Sequence, residues 1–102
     1  ATTGRARMPA LPDTPTVHET VAPDFEALGW QGILAPAGTP DAILAQLESA
    51  IGALLREGDL PQLYLGQGQL PAFAPRADFA AFIRREREQW TRVIREANVT
   101  LD

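Results

Sequence analysis

The 102-residue sequence contains no cysteine and no lysine, and only one histidine, one methionine and one tyrosine. Without cysteine there can be no disulfide, thiolate zinc site or thiol nucleophile, and the cellular compartment is left open. Without lysine there is no lysine-dependent chemistry, the phosphate-loop lysine included. No run of about eighteen apolar residues occurs, and the opening ATTGRARMPALPDTPT has no apolar stretch. Neither a transmembrane helix nor a secretory signal is therefore expected, and an exported protein would begin after its signal. The nine basic residues, all arginine, face thirteen Asp plus Glu, for a formal charge of −4. That balance argues against nucleic acid or an anionic membrane as partner. The length allows one small domain with one modest core and excludes a multidomain enzyme.

What is present is a globular composition, 45% hydrophobic and 22% charged, punctuated by nine prolines and eight glycines. Residues 1–26 carry Pro9, Pro12, Pro15 and Pro23, each of which removes a donor and pushes its predecessor away from helix. Only a short helical turn fits there, over 16–21, with Pro15 fixing its start and Glu19 in its first turn. The run ALGWQGILA over 27–35 is apolar, short and bounded by turn residues, and reads as a mostly buried strand. Gly29 and Gly32 mark it as irregular. Thr39 as N-cap and Pro40 as first residue open a helix over 40–57, which Gly58 stops. Asp59 caps a shorter helix ending near Gly66 or Gly68, and 69–74 reads as a second short strand. The last helix, over 76–97, aligns Phe79, Phe82, Ile83, Trp90, Val93 and Ile94 on one stripe that Glu86 interrupts. Asn98 then suits a left-handed cap.

Few side chains converge on chemistry. His18 has no second histidine or cysteine to complete a zinc site and reads as a solvated surface residue. Asp13, Asp24 and Glu26 lie in loops with no fixed mutual geometry, so nothing supports acid–base catalysis. The glycines of GWQG and GQG lack the Gly-Lys-Ser/Thr ending of a phosphate loop. The arginines of the last helix are interleaved with Asp78, Glu86, Glu88 and Glu96, which describes a solvated charged face better than a phosphate track. Trp30, between two glycines on a strand leading into a Pro-Gly loop, could line a ligand cleft; the plainer reading is a core tryptophan.

Three segments together resemble one family. RARMPALPDTPTVHE, WQGILAPAGTPDAILAQLESAIGALL and DFAAFIRREREQWTRVIREANVTLD are similar to the C-terminal part of the tripartite tricarboxylate transporter substrate-binding receptors, also called Bug receptors. The features carrying the resemblance are Leu11-Pro12-Asp13 before Pro15-Thr16-Val17, the run from Trp30 to Pro40, Phe79 to Ile83 with Trp90, and the closing Leu101-Asp102. Pro75-Arg76-Ala77-Asp78 departs from the family's frequent Thr-Pro-Glu-Glu and loses a threonine cap worth about 1 kcal/mol.

The resemblance implies an α+β chain, a fragment of a periplasmic-binding-protein-like α/β fold with one or two short strands and three C-terminal helices. Residues 1–26 would be an extended proline-rich segment with a helical turn. Residues 27–102 would hold a crossover strand between lobes and the C-terminal helices of one lobe. It further implies a periplasmic, non-enzymatic receptor for a small carboxylated solute, delivering to membrane transporter subunits, with no metal and no cofactor. The receptors' main carboxylate-binding loops precede the matching region, so the chain is expected not to bind ligand alone; Thr3, Trp30 and Gln31 are the candidate ligand contacts by position. The alternative is a homo-oligomeric interaction module that hides strand edges and an apolar stripe against a second copy, by exchange of the first 35 residues.

Overall fold

A computed structural model describes residues 1–100, so the Leu101-Asp102 pair lies outside the described residues. Four helices follow one another: α1 (Val17–Thr20), α2 (Asp41–Arg56), α3 (Leu60–Gly66) and α4 (Arg76–Glu96). The chain divides into two compact units, Ala1–Pro71 and Ala72–Asp102.

In the first unit the proline-rich start closes on itself. Thr2 N–H donates to Pro15 O at 3.0 Å and Val17 N–H donates to Thr2 O at 2.9 Å, which makes a parallel bridge between Thr2 and Thr16. Two turns fill the intervening loop, Leu11 N–H to Met8 O and Thr14 N–H to Leu11 O. The prolines set this path by denying the segment any regular ladder.

The helices follow their punctuation. α2 begins one residue later than expected, because the Thr39 hydroxyl donates to Pro36 O at 2.8 Å and is committed to a turn through Gly38, at φ +84°. Pro40 O instead accepts from Ile43 and Leu44 N–H. Gly58, at φ +74°, separates α2 from α3, which pack against each other. Asp59 holds the cap position of α3 without a side-chain bond. The far end of α3 is a complete Schellman motif: Gly68, at φ +71°, donates to Leu65 O and Gln69 donates to Tyr64 O.

In the second unit α4 starts at Pro75, again without a side-chain cap, in keeping with the missing threonine. It ends in a second Schellman motif, Asn98 N–H to Arg95 O and Val99 N–H to Ile94 O, with Asn98 left-handed at φ 49°. Along its stripe Phe79 and Phe82 stack at 6.4 Å. Glu86 is no interruption: its carboxylate accepts from Trp90 Nε1–H at 3.1 Å, one turn on.

The expected strands are the correction. Residues 27–35 and 69–74 form neither helix nor ladder, and the Thr2–Thr16 bridge is the one bridge among the described residues. A strand exists only where a neighbour faces its N–H and C=O groups along its length, and the N-terminal stretch meets the start of this run, through Ala27 N–H to Thr3 O and Leu28 beside Gly4, without forming a ladder. The chain is therefore helix-rich with almost no strand.

Among the described residues no hydrophobic side chain is buried, whereas Val21, Ile33 and Leu34 are more than 70% exposed.

Candidate functional site

A cluster of polar contacts surrounds α1. Thr16 is fully buried. Its hydroxyl accepts from Glu19 N–H at 3.0 Å, and the Glu19 carboxylate accepts from Thr16 N–H at 2.8 Å. This is a reciprocal capping box. Thr16, not Pro15, therefore opens this helix, and the Thr-x-x-Glu spacing is the sequence signal that identifies it.

Arg7 completes the arrangement from twelve residues away. Its Nε–H lies 3.1 Å from both Glu19 carboxylate oxygens, and its Nη1–H donates to Pro12 O at 3.2 Å. The backbone bond from Thr16, followed by the Arg7 bond, lowers the Glu19 pKa below its ordinary value. The sign follows directly. A lowered folded pKa gives stability that is fully present above the unfolded glutamate value, near ~4.3, and lost as pH falls through the folded one. Acid titration followed by amide NMR should show the Thr16 and Glu19 amides losing protection below that range. Glu19→Gln keeps a capping acceptor but no charge, so its amides should be less protected at pH 7 and should show no such acid step. An acid step that persists in Glu19→Gln would assign it to another carboxylate.

On the other side of α1, His18 is half-buried rather than merely solvated. Its Nδ1 accepts from Asp24 N–H at 2.8 Å. Asp24 is left-handed, at φ 66°, and its carboxylate pairs with Arg5 at 3.2 Å. Arg5 also lies 3.7 Å from Glu26. These ion pairs are exposed and contribute little stability individually. They do fix where the chain turns after α1.

The candidate ligand contacts sit beyond that turn. Thr3 is exposed and its carbonyl accepts from Ala27 N–H at 3.0 Å, which ties the start of segment 27–36 to the N-terminal strand-like stretch. Trp30, 43% exposed, and exposed Gln31 follow three and four residues later on the surface. No residue of these three is buried. On α4, shallow grooves run along a single helix face beside Arg84, Arg87, Thr91 and Arg95, with Glu88 and Glu96 in the same groove. Among the described residues no group of three His, Asp or Glu converges as a metal site, and no helix is long and apolar enough to cross a membrane.

Comparison with known proteins places this geometry in a family. The chain is 34% identical over 100 residues to a UPF0065 protein from the TAR-I ttuE-ttuC' intergenic region of Agrobacterium vitis, covering 95% of this chain and 29% of that protein. It is 32% identical over 91 residues to a UPF0065 protein from the tcbD-tcbE intergenic region of Pseudomonas sp. strain P51, covering 88% and 27%. It is 31% identical over 91 residues to protein BugT of Bordetella pertussis, covering 89% and 28%. The chain thus spans less than a third of the length of each of these relatives. No solved structure gives a significant match. The model of the tripartite tricarboxylate transporter family receptor matches residues 1–99, and with nearly every position accounted for, the chain belongs to that receptor family.

Proposed function

We propose that these residues form the C-terminal part of an extracytoplasmic solute-binding receptor for small carboxylated solutes, and that alone they bind such solutes weakly or not at all. The observation that carries this reading is the missing core. A chain whose described residues bury no hydrophobic side chain relies on apolar surface supplied from elsewhere, and its relatives are more than three times longer.

The cations point the same way. A carboxylate is held by converging donors or by a free cation. In Ala1–Pro71 the arginines are Arg5, Arg7 and Arg56. Arg5 is paired with Asp24 and Glu26, Arg7 with Glu19, and Arg56 is also engaged. None is free to neutralise a solute beside Thr3, Trp30 and Gln31. These three side chains supply at most one wall: a hydroxyl, an indole face and an amide. The charge-neutralising donors belong to the longer receptor. The action is binding and delivery in the periplasm to transporter subunits, with no chemical step.

Calorimetric titration of the chain with small di- and tricarboxylates should give no 1:1 binding tighter than about millimolar, near −4 kcal/mol. Micromolar binding would contradict the claim that the site is incomplete. The exposed apolar side chains also support a second reading, a homo-oligomer formed by exchange of the first 35 residues. Light scattering that finds a monomer at high protein concentration counts directly against it.

A further inference from the structure

The sole histidine is bonded to the turn that follows α1. After α1, Val21 and Ala22 N–H both donate to Val17 O, and Phe25 N–H donates to Ala22 O. The chain then passes through Asp24 at φ 66°, a left-handed conformation that aspartate adopts more readily than most non-glycine residues. The Asp24 backbone N–H is taken up by His18 Nδ1 at 2.8 Å, and its carboxylate by Arg5. Two residues past Phe25, Ala27 N–H reaches Thr3 O, and Trp30 and Gln31 follow. His18, together with Arg5, thus holds the turn from which segment 27–31 leaves α1.

We infer that His18 is a pH-responsive positioning residue: neutral, it latches the 22–26 turn and so fixes segment 27–31 against Thr3; protonated, it releases that turn. The physical basis is that Nδ1 can accept only while it carries no proton. The neutral ring must therefore be the Nε2–H tautomer, and a second proton turns the acceptor into a donor facing another donor. The bearing on the candidate contacts Trp30 and Gln31 rests on the proposed receptor function; the latch itself rests on the His18–Asp24 bond alone.

The charged groups around the turn are few. Glu19, on the same helix, is held by Thr16 and Arg7. Asp24 and Glu26, on the far side, are held by Arg5. A protonated His18 could exchange the Asp24 backbone for one of these carboxylates, which would also break the latch. The direction is the same in either case: the turn is held while His18 is neutral and opens when it is protonated.

Amide and imidazole NMR of the whole chain tests this directly. At pH 7.5 the His18 nitrogens should report the Nε2–H tautomer, and the Asp24 amide should be protected. As His18 protonates, Asp24 exchange, corrected for its intrinsic pH dependence, should accelerate about tenfold, the scale of one lost hydrogen bond. His18→Asn places an amide oxygen close to the Nδ1 position without a proton to gain. It should keep Asp24 protected across the same pH range, while His18→Ala should leave it open throughout. A merely structural histidine would not give the His18→Asn rescue with loss of the pH step. The inference is overturned if the neutral tautomer is Nδ1–H, if Asp24 is unprotected at pH 7.5, or if the pH step survives in His18→Asn. None of these readouts involves a solute, so they stand apart from the titration that tests receptor function.

Discussion

Heated in a calorimeter at low concentration, the isolated chain should show a broad, shallow unfolding profile in place of a two-state peak. A self-contained domain of this length absorbs about 60–80 kcal/mol at its midpoint; well under half of that is expected here. The argument is one of burial. Each fully buried aliphatic or aromatic side chain contributes roughly 1.5–3 kcal/mol, and none is fully buried among the described residues. On α2, Ile43 and Leu47 each leave 47% of their surface in water, and Leu54 leaves more. The 21-residue α4 exceeds the roughly 12–15 residues below which an isolated helix is marginal, but an amphipathic helix draws most of its stability from packing its apolar face, and Trp90, Val93 and Ile94 on it are exposed. Capping and turn bonds remain, but each contributes about 1 kcal/mol, too little to make the chain melt as one unit. A sharp transition with the full enthalpy, independent of protein concentration, would contradict both the missing core and the receptor reading built on it. A transition that sharpens as concentration rises would instead favour copies covering one another. Within a full-length receptor the same residues should melt cooperatively, because their apolar faces are then covered.

The contrast between helices and strands explains what the sequence made legible. α2, α3 and α4 are readable within a residue or two because a helix satisfies its own backbone, and its limits are set by neighbours in sequence: Gly58 after α2, Gly68 after α3, Asn98 after α4. The run 27–35 carries an equally clear apolar pattern, yet a strand's bonds come from another segment, and among the described residues no ladder forms along it. The site divides likewise. The capping box has a local sequence signal, Thr-x-x-Glu, although the expected start rested on Pro15 instead. Arg7 reaching Glu19 and His18 reaching Asp24 have none, because contacts across twelve and six residues depend on a path that prolines and a left-handed aspartate set jointly. Thr3, Trp30 and Gln31 rested on position in a resembling pattern; all three are exposed, and Thr3 is bonded to Ala27.

Replacing Thr16 by valine should loosen the whole N-terminal stretch. Valine keeps the shape of the fully buried side chain and removes only the hydroxyl, so the change isolates the cap. Losing a threonine cap costs about 1 kcal/mol and up to ~2, and here the Glu19 N–H is left without its acceptor. The same residue anchors the bridge, since Thr2 N–H donates to Pro15 O and Val17 N–H to Thr2 O on either side of it. The amides of Thr2, Val17 and Glu19 should therefore exchange faster together, by about tenfold for each 1.4 kcal/mol lost. Thr16→Ser, which keeps the hydroxyl, should retain most of the protection. Thr2 provides the internal contrast. Its hydroxyl is also buried but has no hydrogen-bond partner, so Thr2→Val removes a desolvated, unsatisfied group and should be neutral or stabilising. If Thr16→Val leaves the three amides as protected as before, the bridge does not depend on the cap. If Thr2→Val loosens them as much as Thr16→Val does, the hydroxyl chemistry assigned to the two threonines is wrong. Two threonines across one bridge, one satisfied and one not, should thus respond differently to the same substitution: a loss at Thr16 and none at Thr2.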